Sequence, residues 1–273
     1  MWKISILLIC FSCTDLILQD TTKYHSIQLN GNAWIHIEND VNEDNDISII
    51  NDNFTLEFWF TGGNSGDSES ACLVSIIDTD DAIKFGLFKD PLSPNALEIW
   101  LDDTPLDPIL LNLEEDLNSG SIFHHIAITS NENVQIYIDG IRVKTFSEMS
   151  INIGENDLAI GGKVNRDLST VDNFWTGNID EMRLWSSVLN ATIIAFHYNN
   201  PEKLAESYED SYVTDLTGLW RFQFEAGETS PIIPDESCAV LQQIYTFTDT
   251  CKNYDATIYT LGNDVVTLSE KHP

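Results

Sequence analysis

The chain has 273 residues, 42% of them hydrophobic and 10% aromatic, which is enough to build a sizeable core; 13 Lys and Arg against 44 Asp and Glu give a formal net charge of −31. That balance argues against nucleic acid or anionic lipid as a partner, because both are held by clustered cations. It fits a solubilised or salt-adapted surface, with cations as the natural small partners.

At the N-terminus, Met1-Trp2-Lys3 carries one positive charge, residues 4–13 are apolar, and polar sequence begins at Thr14. The run is shorter than the ~20 apolar residues of a membrane span and reads as a leader over residues 1–20, removed or anchored rather than folded. Two forms stay open. One is a secretory peptide cut before Thr21. The other is lipoprotein-type processing at Ser12-Cys13-Thr14-Asp15, with Cys13 as the lipidated residue, although Cys10 stands where such sites usually carry Leu. Either form places the rest of the chain outside the cell or on its surface, with lipid as the route to a membrane. Residues 21–273 read as one domain, a common size for an all-β sandwich.

Strands are predicted at 24–29, 33–37, 54–61, 72–77, 83–88, 96–101, 123–129, 134–138, 142–146, 157–160, 178–185, 218–224 and 256–259. The signal is apolar residues at every second position, as in Phe54, Leu56, Phe58 and Phe60, so that one face is buried and the other is solvated or covered by a second sheet. The stretch 121–145 is the clearest: two strands joined by the polar turn 130–133, then an Asp139-Gly140 turn into a third. Closely spaced antiparallel strands make the fold class all-β, a sandwich of two antiparallel sheets. The polar runs 38–46, 62–70 and 165–173 read as surface loops.

Beyond the leader three cysteines remain. Cys238 and Cys251 bracket a short loop, and in an oxidising compartment they are expected to form a disulfide worth ~3 kcal/mol by loop entropy. Cys72, in the apolar run 71–77, reads as a buried free thiol. His124 and His125 are strand neighbours facing opposite sides, one expected packed and one at the surface, so they do not chelate one ion together. No Gly-x-Ser-x-Gly context supports a hydrolase triad. Sugar binding needs exposed aromatic platforms beside polar groups. Trp175, in the stretch 171–176, and Trp100, near Asp102 and Asp103, are the candidates, whereas Trp59, Trp185 and Trp220 sit in strands that bury them.

Six pieces in order, Ile27–Gly31 (IQLNG), Phe54–Phe60 (FTLEFWF), His124-His125-Ile126-Ala127 with Tyr137-Ile138-Asp139-Gly140, Ala159–Gly162 (AIGG), Gly177–Trp185 (GNIDEMRLW) and Gly218–Phe224 (GLWRFQF) with Asp255–Tyr259 (DATIY), resemble the laminin-G-like, concanavalin-A-like lectin/glucanase (pentraxin-like) family over roughly residues 24–262. The resemblance implies a jelly-roll sandwich and a short helix over 190–198, ended by Pro201. It also implies that 238–252 is an insertion, since relatives run from an Asp-x-Ser turn, here Asp235-Glu236-Ser237, almost directly into the Asn253–Thr257 strand. Glycosidases of this general fold alternate their acids along one strand. Here Asp180 and Glu181 are adjacent and expected on opposite faces, so a non-catalytic role is implied. The family often holds a structural Ca²⁺, for which Asp180 would supply a carboxylate and Asn30 with Gly31 further oxygens, Asn30 standing where relatives often carry Asp. The expected function is therefore an extracellular or cell-surface recognition module for a glycan or a protein ligand, with Ca²⁺ as its cofactor. An interaction subunit of a larger surface complex is the alternative, and a polysaccharide-active enzyme a further one.

Overall fold

The computed structural model of the chain describes residues 26–37, 52–62, 70–78, 80–91, 93, 95–106, 109–110, 122–153, 156–165, 171–204, 215–222, 232–233, 235–237, 256–260, 267–269 and 273. The leader with Cys13, the acidic run 38–46 and the Cys238 to Cys251 loop lie outside the described residues. In chain order the elements are β1 (Ser26–Asn30), β2 (Ala33–Ile37), β3 (Phe54–Phe60), β4 (Cys72–Ile77), β5 (Ile83–Lys89), β6 (Ala96–Leu101), β7 (Thr104–Pro105), β8 (Ile109–Leu110), β9 (His124–Ser130), β10 (Asn133–Ile138), β11 (Ile141–Ser147), β12 (Asp157–Ile160), β13 (Lys163–Val164), β14 (Val171–Asp172), β15 (Thr176–Trp185), α1 (Ala191–Asn199), β16 (Leu216–Trp220), β17 (Ile232–Ile233), β18 (Ala256–Thr260) and β19 (Thr267–Ser269).

Two sheets face each other. One has eight strands in the order β11-β10-β9-β3-β15-β1-β19, and β16 takes over the edge of β15 that β1 leaves. The other has nine, in the order β17-β18-β2-β12-β4-β5-β6-β7, with β8 also on β6; β13 and β14 form a separate pair. Every pairing among the described residues is antiparallel. The inward rows meet in one core, with Ile27 and Leu29, Leu56, Phe58 and Phe60, and Ile126 and Ile128 from the first sheet against Ile35, Leu158, Phe85, Leu87, Leu97 and Ile99 from the second. Each such side chain removed from water stabilises the sandwich by roughly 1.5–3 kcal/mol. The Asp139-Gly140 turn has both residues at positive φ, 50° and 74°, the left-handed pair that joins two twisted strands through a two-residue loop.

β3 is buried along its whole length, on both faces. What covers its outer face is α1, not the second sheet. A second cluster of Ala127, Tyr137, Trp185, Leu189, Ile193, Ile194, Leu216 and Leu219 lies between the eight-stranded sheet and that helix. Asn190 caps the helix, its side chain accepting hydrogen bonds from the backbone N–H groups of Thr192 and Ile193 at 2.9 and 3.0 Å. The helix rests on the Asp139-Gly140 turn, where a Cβ on Gly140 would stand 3.1 Å from Ala195 Cα and 3.2 Å from Tyr198 Cβ.

Two expectations about extent change. The strand expected over 218–224 is Leu216–Trp220, ending before Phe222 enters the left-handed region at φ 49°. The run 165–173 contributes β14, whose Val171 pairs with Val164.

Candidate ligand-binding face and buried polar centres

The outer face of the nine-stranded sheet is built from the alternate positions that the core does not use. The register places His36 beside Ala159, Ala159 beside Ser75, Ser75 beside Gly86, and Gly86 beside Trp100, a row crossing five strands. At about 4.8 Å per strand it is roughly 19 Å long. Its middle is made of small side chains and its ends of large ones. At one end Trp34 stacks on Tyr259 with centroids 5.3 Å apart and 13° between planes, and Phe174 leans on Trp34 at 6.0 Å. At the other, Trp100 packs on Phe88 at 5.7 Å. Between them, His36, Ser75, Ile77, Asp157, Ala159, Val164 and Asn165 line a shallow depression with room for about one water molecule, in which His36, Ser75 and Ala159 are themselves buried. His36 Nε2 lies 3.4 Å from Asp157 Oδ2, and Ser75 Oγ donates to the Gly162 carbonyl at 2.9 Å. Apolar rings flanking a few convergent polar groups are the composition of a small-ligand site.

Of the residues picked out for ligand binding, Trp100 lies on this face and is partly exposed. Asp102 is at the rim beyond it, in the turn between β6 and β7, with its carboxylate 72% exposed and 3.2 Å from Lys84 Nζ. Trp175 is not a platform. It is fully buried, its indole N–H donates to the Thr61 carbonyl at 2.9 Å, and its ring meets Phe60 edge-on at 5.9 Å. The stretch read as a loop carries it inward because Trp175 N–H is tied to the Gly161 carbonyl and β15 begins one residue later. His36, Ser75, Asp157, Asn165 and Tyr259 were not anticipated. Their only signal is a single polar residue within an apolar strand, as in AWIHI and CLVSII. Cys72 is a buried free thiol on this sheet; burial pushes its pKa well above the ordinary thiol value.

The residues expected to share a cation do not meet. Asn30 pairs with Thr176, so Asp180 lies four residues further along β15, about 14 Å away at strand rise. Asp180 pairs with Trp59 and shares its face, the one under α1; it is 1% exposed and accepts the Glu181 N–H at 2.8 Å. Continued one step, the β1 ladder sets Ser26 opposite Asp180, and Asn178 precedes it by two on the same face. Ser26 Oγ and Asn178 Oδ1 are both buried without a hydrogen-bond partner. A carboxylate beside two unpartnered oxygens is the donor chemistry of a hard cation, so these residues fit Ca²⁺ in kind, with Ser26 and Asn178 in place of Asn30 and Gly31. Among the described residues no three His, Cys, Asp or Glu side chains gather in metal-binding geometry.

Beside Asp180 is a buried ionic network. Glu57 on β3 has His197 Nδ1 at 2.8 Å, Arg183 at 3.6 Å and the Trp185 indole N–H at 3.1 Å on one oxygen, and His125 Nε2 at 3.4 Å on the other. Arg183 also reaches Glu181 at 3.2 Å and donates to the Pro201 carbonyl; Arg221 lies 3.6 Å from Glu181 and 3.9 Å from Glu236. Burial opposes the charge on Glu57, yet His197, hydrogen bonds from His125 and His197, and Arg183 together hold its carboxyl well below the usual range. Burial pushes His197 below the ordinary imidazole value against the pull of Glu57. Two expectations are corrected here. His124 and His125 are both buried: His124 lies 3.0 Å from Asp139 on one side of β9, and His125 faces Glu57 and Trp59 on the other. Asp180 and Glu181 do not take opposite faces, because Glu181 sits in a β-bulge at φ 46° and turns to the same side.

Comparison with known proteins agrees with this architecture. A family model described as the concanavalin A-like lectin/glucanases superfamily matches residues 29–195. Among solved structures, a Bacteroides ovatus protein described as a candidate carbohydrate binder superposes with TM-score 0.53 at 13% identity, covering 90% of this chain and 62% of that one. A heptameric SAP-like pentraxin from Limulus polyphemus gives TM-score 0.49 at 12% identity over 64% and 82%. The CBM40 of a Ruminococcus gnavus sialidase, bound to α2,3-sialyllactose, gives 0.46 at 13% over 64% and 98%. No curated protein sequence matches the chain. The two-sheet antiparallel sandwich, its single described helix and the match over more than half its length together make this chain a member of the concanavalin A-like lectin/glucanase superfamily.

Proposed function

We propose that the protein is a non-catalytic recognition module, secreted or held at the cell surface, that binds a glycan on the outer face of the nine-stranded sheet. The observation that carries this reading is the row from His36 to Trp100, whose buried middle is flanked by the partly exposed rings of Trp100 and Tyr259 and by the partly exposed polar groups of Asp157 and Asn165. Sugar rings stack on aromatic faces through their C–H groups, and their hydroxyls take the hydrogen bonds that the partly exposed Asp157 and Asn165 offer. The leader-like residues and the acidic composition support the location. A non-catalytic role is supported by the acids of β3 and β15: Glu57 and Glu181 are buried and held in ion pairs, not presented as an acid and nucleophile across an open cleft. An extracellular protein ligand is the second partner class for the same face.

On a glycan array the intact protein is expected to bind a defined subset of sugars, and Trp100→Ala to weaken that binding by about tenfold, the worth of one stacked ring. Asn165→Ala, at a partly exposed side chain, should weaken it too while leaving thermal stability close to wild type. Binding untouched by either change, or an array blank from a folded sample, would move the site or the ligand class elsewhere.

Calcium dependence belongs to the same proposal. Asp180, Asn178 and Ser26 would hold the ion, which would clamp β1 to β15 beneath the helix. Saturating Ca²⁺ is expected to raise the melting temperature of the wild type by a few degrees, as a ligand at about 100 times its Kd adds about 2.7 kcal/mol. Asp180→Asn should abolish that rise while Asn30→Ala leaves it intact. A rise that survives in Asp180→Asn would place the ion elsewhere.

A further inference from the structure

We infer that His36 and Asp157, with the amide of Asn165, hold a single zinc-type divalent cation in the depression on the outer face of the nine-stranded sheet. Such an ion requires no sugar on that face. Ala159 pairs with His36, and Asp157 stands two residues before Ala159 on β12, so the carboxylate is the diagonal neighbour of the imidazole on one face. The His36 ring meets Tyr259 edge-on at 5.8 Å, and its Nε2 lies 3.4 Å from Asp157 Oδ2. That nitrogen is buried and makes no hydrogen bond. A direct hydrogen bond would bring the two atoms to about 2.7–3.2 Å. A metal between them would not: on a tetrahedral ion with bonds of about 2.0–2.2 Å, two ligand atoms stand about 3.3–3.5 Å apart.

The room for about one water molecule is also room for one such ion. Asn165 lines the same space, and Ser75 gives its hydroxyl proton to the Gly162 carbonyl, which leaves its oxygen able to accept. Asp157 and Asn165 are partly exposed and give the ion a way in from solvent. Among the described residues no lysine or arginine lines the depression; Lys163 acts on Cys72, further along the face. An imidazole nitrogen beside oxygen donors favours Zn²⁺, Ni²⁺ or Cu²⁺ over Ca²⁺ and Mg²⁺, and a net charge of −31 gathers cations at the surface. One histidine, one carboxylate and one amide are fewer ligands than a closed structural site has, so the ion keeps a position for water or for the oxygen of a ligand.

The test is a calorimetric titration of the intact, chelator-treated protein with Zn²⁺ in excess Ca²⁺, with Co²⁺ absorption as a second readout of nitrogen ligation. The wild type is expected to show one saturable Zn²⁺ site that Ca²⁺ does not displace. Asp157→Asn, nearly isosteric at a partly exposed position, and His36→Gln should each weaken it by about 10–100-fold, the loss that follows even when a ligand's supporting contact is removed. Thermal melts check that both variants fold, and Asp157→Asn decides alone if His36→Gln does not. Asp180→Asn, at the residues proposed for Ca²⁺, should leave Zn²⁺ binding unchanged. A wild type without a saturable Zn²⁺ site, or Zn²⁺ binding that stays within about twofold of wild type in a folded Asp157→Asn or His36→Gln, would overturn the inference. No arm reads glycan binding, so that outcome would leave the carbohydrate reading standing.

Discussion

Trp175→Ala is expected to cost about 3–5 kcal/mol of stability, the range for removing a fully buried large aromatic side chain. In a domain of this size that corresponds to a fall of roughly 10 °C in melting temperature. The loss has three sources. The indole fills the space where the end of β3 meets the start of β15, its ring lies edge-on against Phe60, and its N–H satisfies the Thr61 carbonyl at 2.9 Å, which would be left without that donor. Trp175→Phe keeps most of the volume and loses the hydrogen bond, so it should fall between wild type and alanine. Thermal melts of the three proteins, with glycan binding of the phenylalanine variant, decide between a core and a stacking role. A marginal melting shift accompanied by lost binding would return Trp175 to the surface.

Glu57→Ala has a comparable expected effect, about 3–5 kcal/mol, because it opens a buried ionic cluster, leaves the Arg183 guanidinium with Glu181 as its remaining carboxylate, and takes the acceptor from the Trp185 indole and His197. Glu57→Gln keeps an acceptor and loses only the charge, and should cost less.

The same network makes stability pH-dependent. His197 has its folded pKa below the ordinary 6.5, so as pH falls the unfolded chain takes the proton first; stability drops below about pH 6.5 and this loss stops growing once the folded imidazole protonates. Glu57, held below its ordinary 4.5, adds a second loss as pH falls through 4.5 toward its folded value. Glu236, raised chiefly by burial, works the other way: it takes its proton first in the folded state, adding some stability as pH falls toward 4.5. Arg183 and Arg221 face the network from either side of Glu181. Urea melts from pH 8 to 5 should therefore show stability falling on the acid side, and His197→Gln should flatten the first part of that fall. A flat profile in the wild type would show that His197 does not titrate differently on folding.

The strands were legible wherever a side-chain alternation met a turn signal. The 121–145 stretch is the best case, because Asp139-Gly140 fixes the hairpin and the hairpin fixes the register. The helix over 190–198 was legible only through the family resemblance; in the structure Asn190 caps it. What could not be read depended on register or on convergence of distant segments. Asn30 and Asp180 are both near the meeting of β1 and β15, and only the pairing of Asn30 with Thr176 shows them to be far apart. Glu57 looked like the outward residue of an amphipathic strand, since nothing local to FTLEFWF reveals that His197, Arg183 and His125 close over it. The bulge at Glu181 broke the alternation that assigned its face. Trp175 was misjudged because a short polar neighbourhood resembles a loop whether the chain there turns outward or dives beneath a sheet.

One edge of each sheet is closed by segments far apart in the chain. β2 lies against β18, with His36 opposite Thr257, and β1 lies against β19, with Ser26 opposite Ser269. Hairpins such as β9-β10-β11 form from neighbouring residues, but these two contacts must close nearly the whole chain into a loop, the slowest kind of pairing to find. During synthesis the Trp34 end of the outer face therefore stays open until the final strands arrive, and the stacked Trp34–Tyr259 pair is the last part of that face to be made.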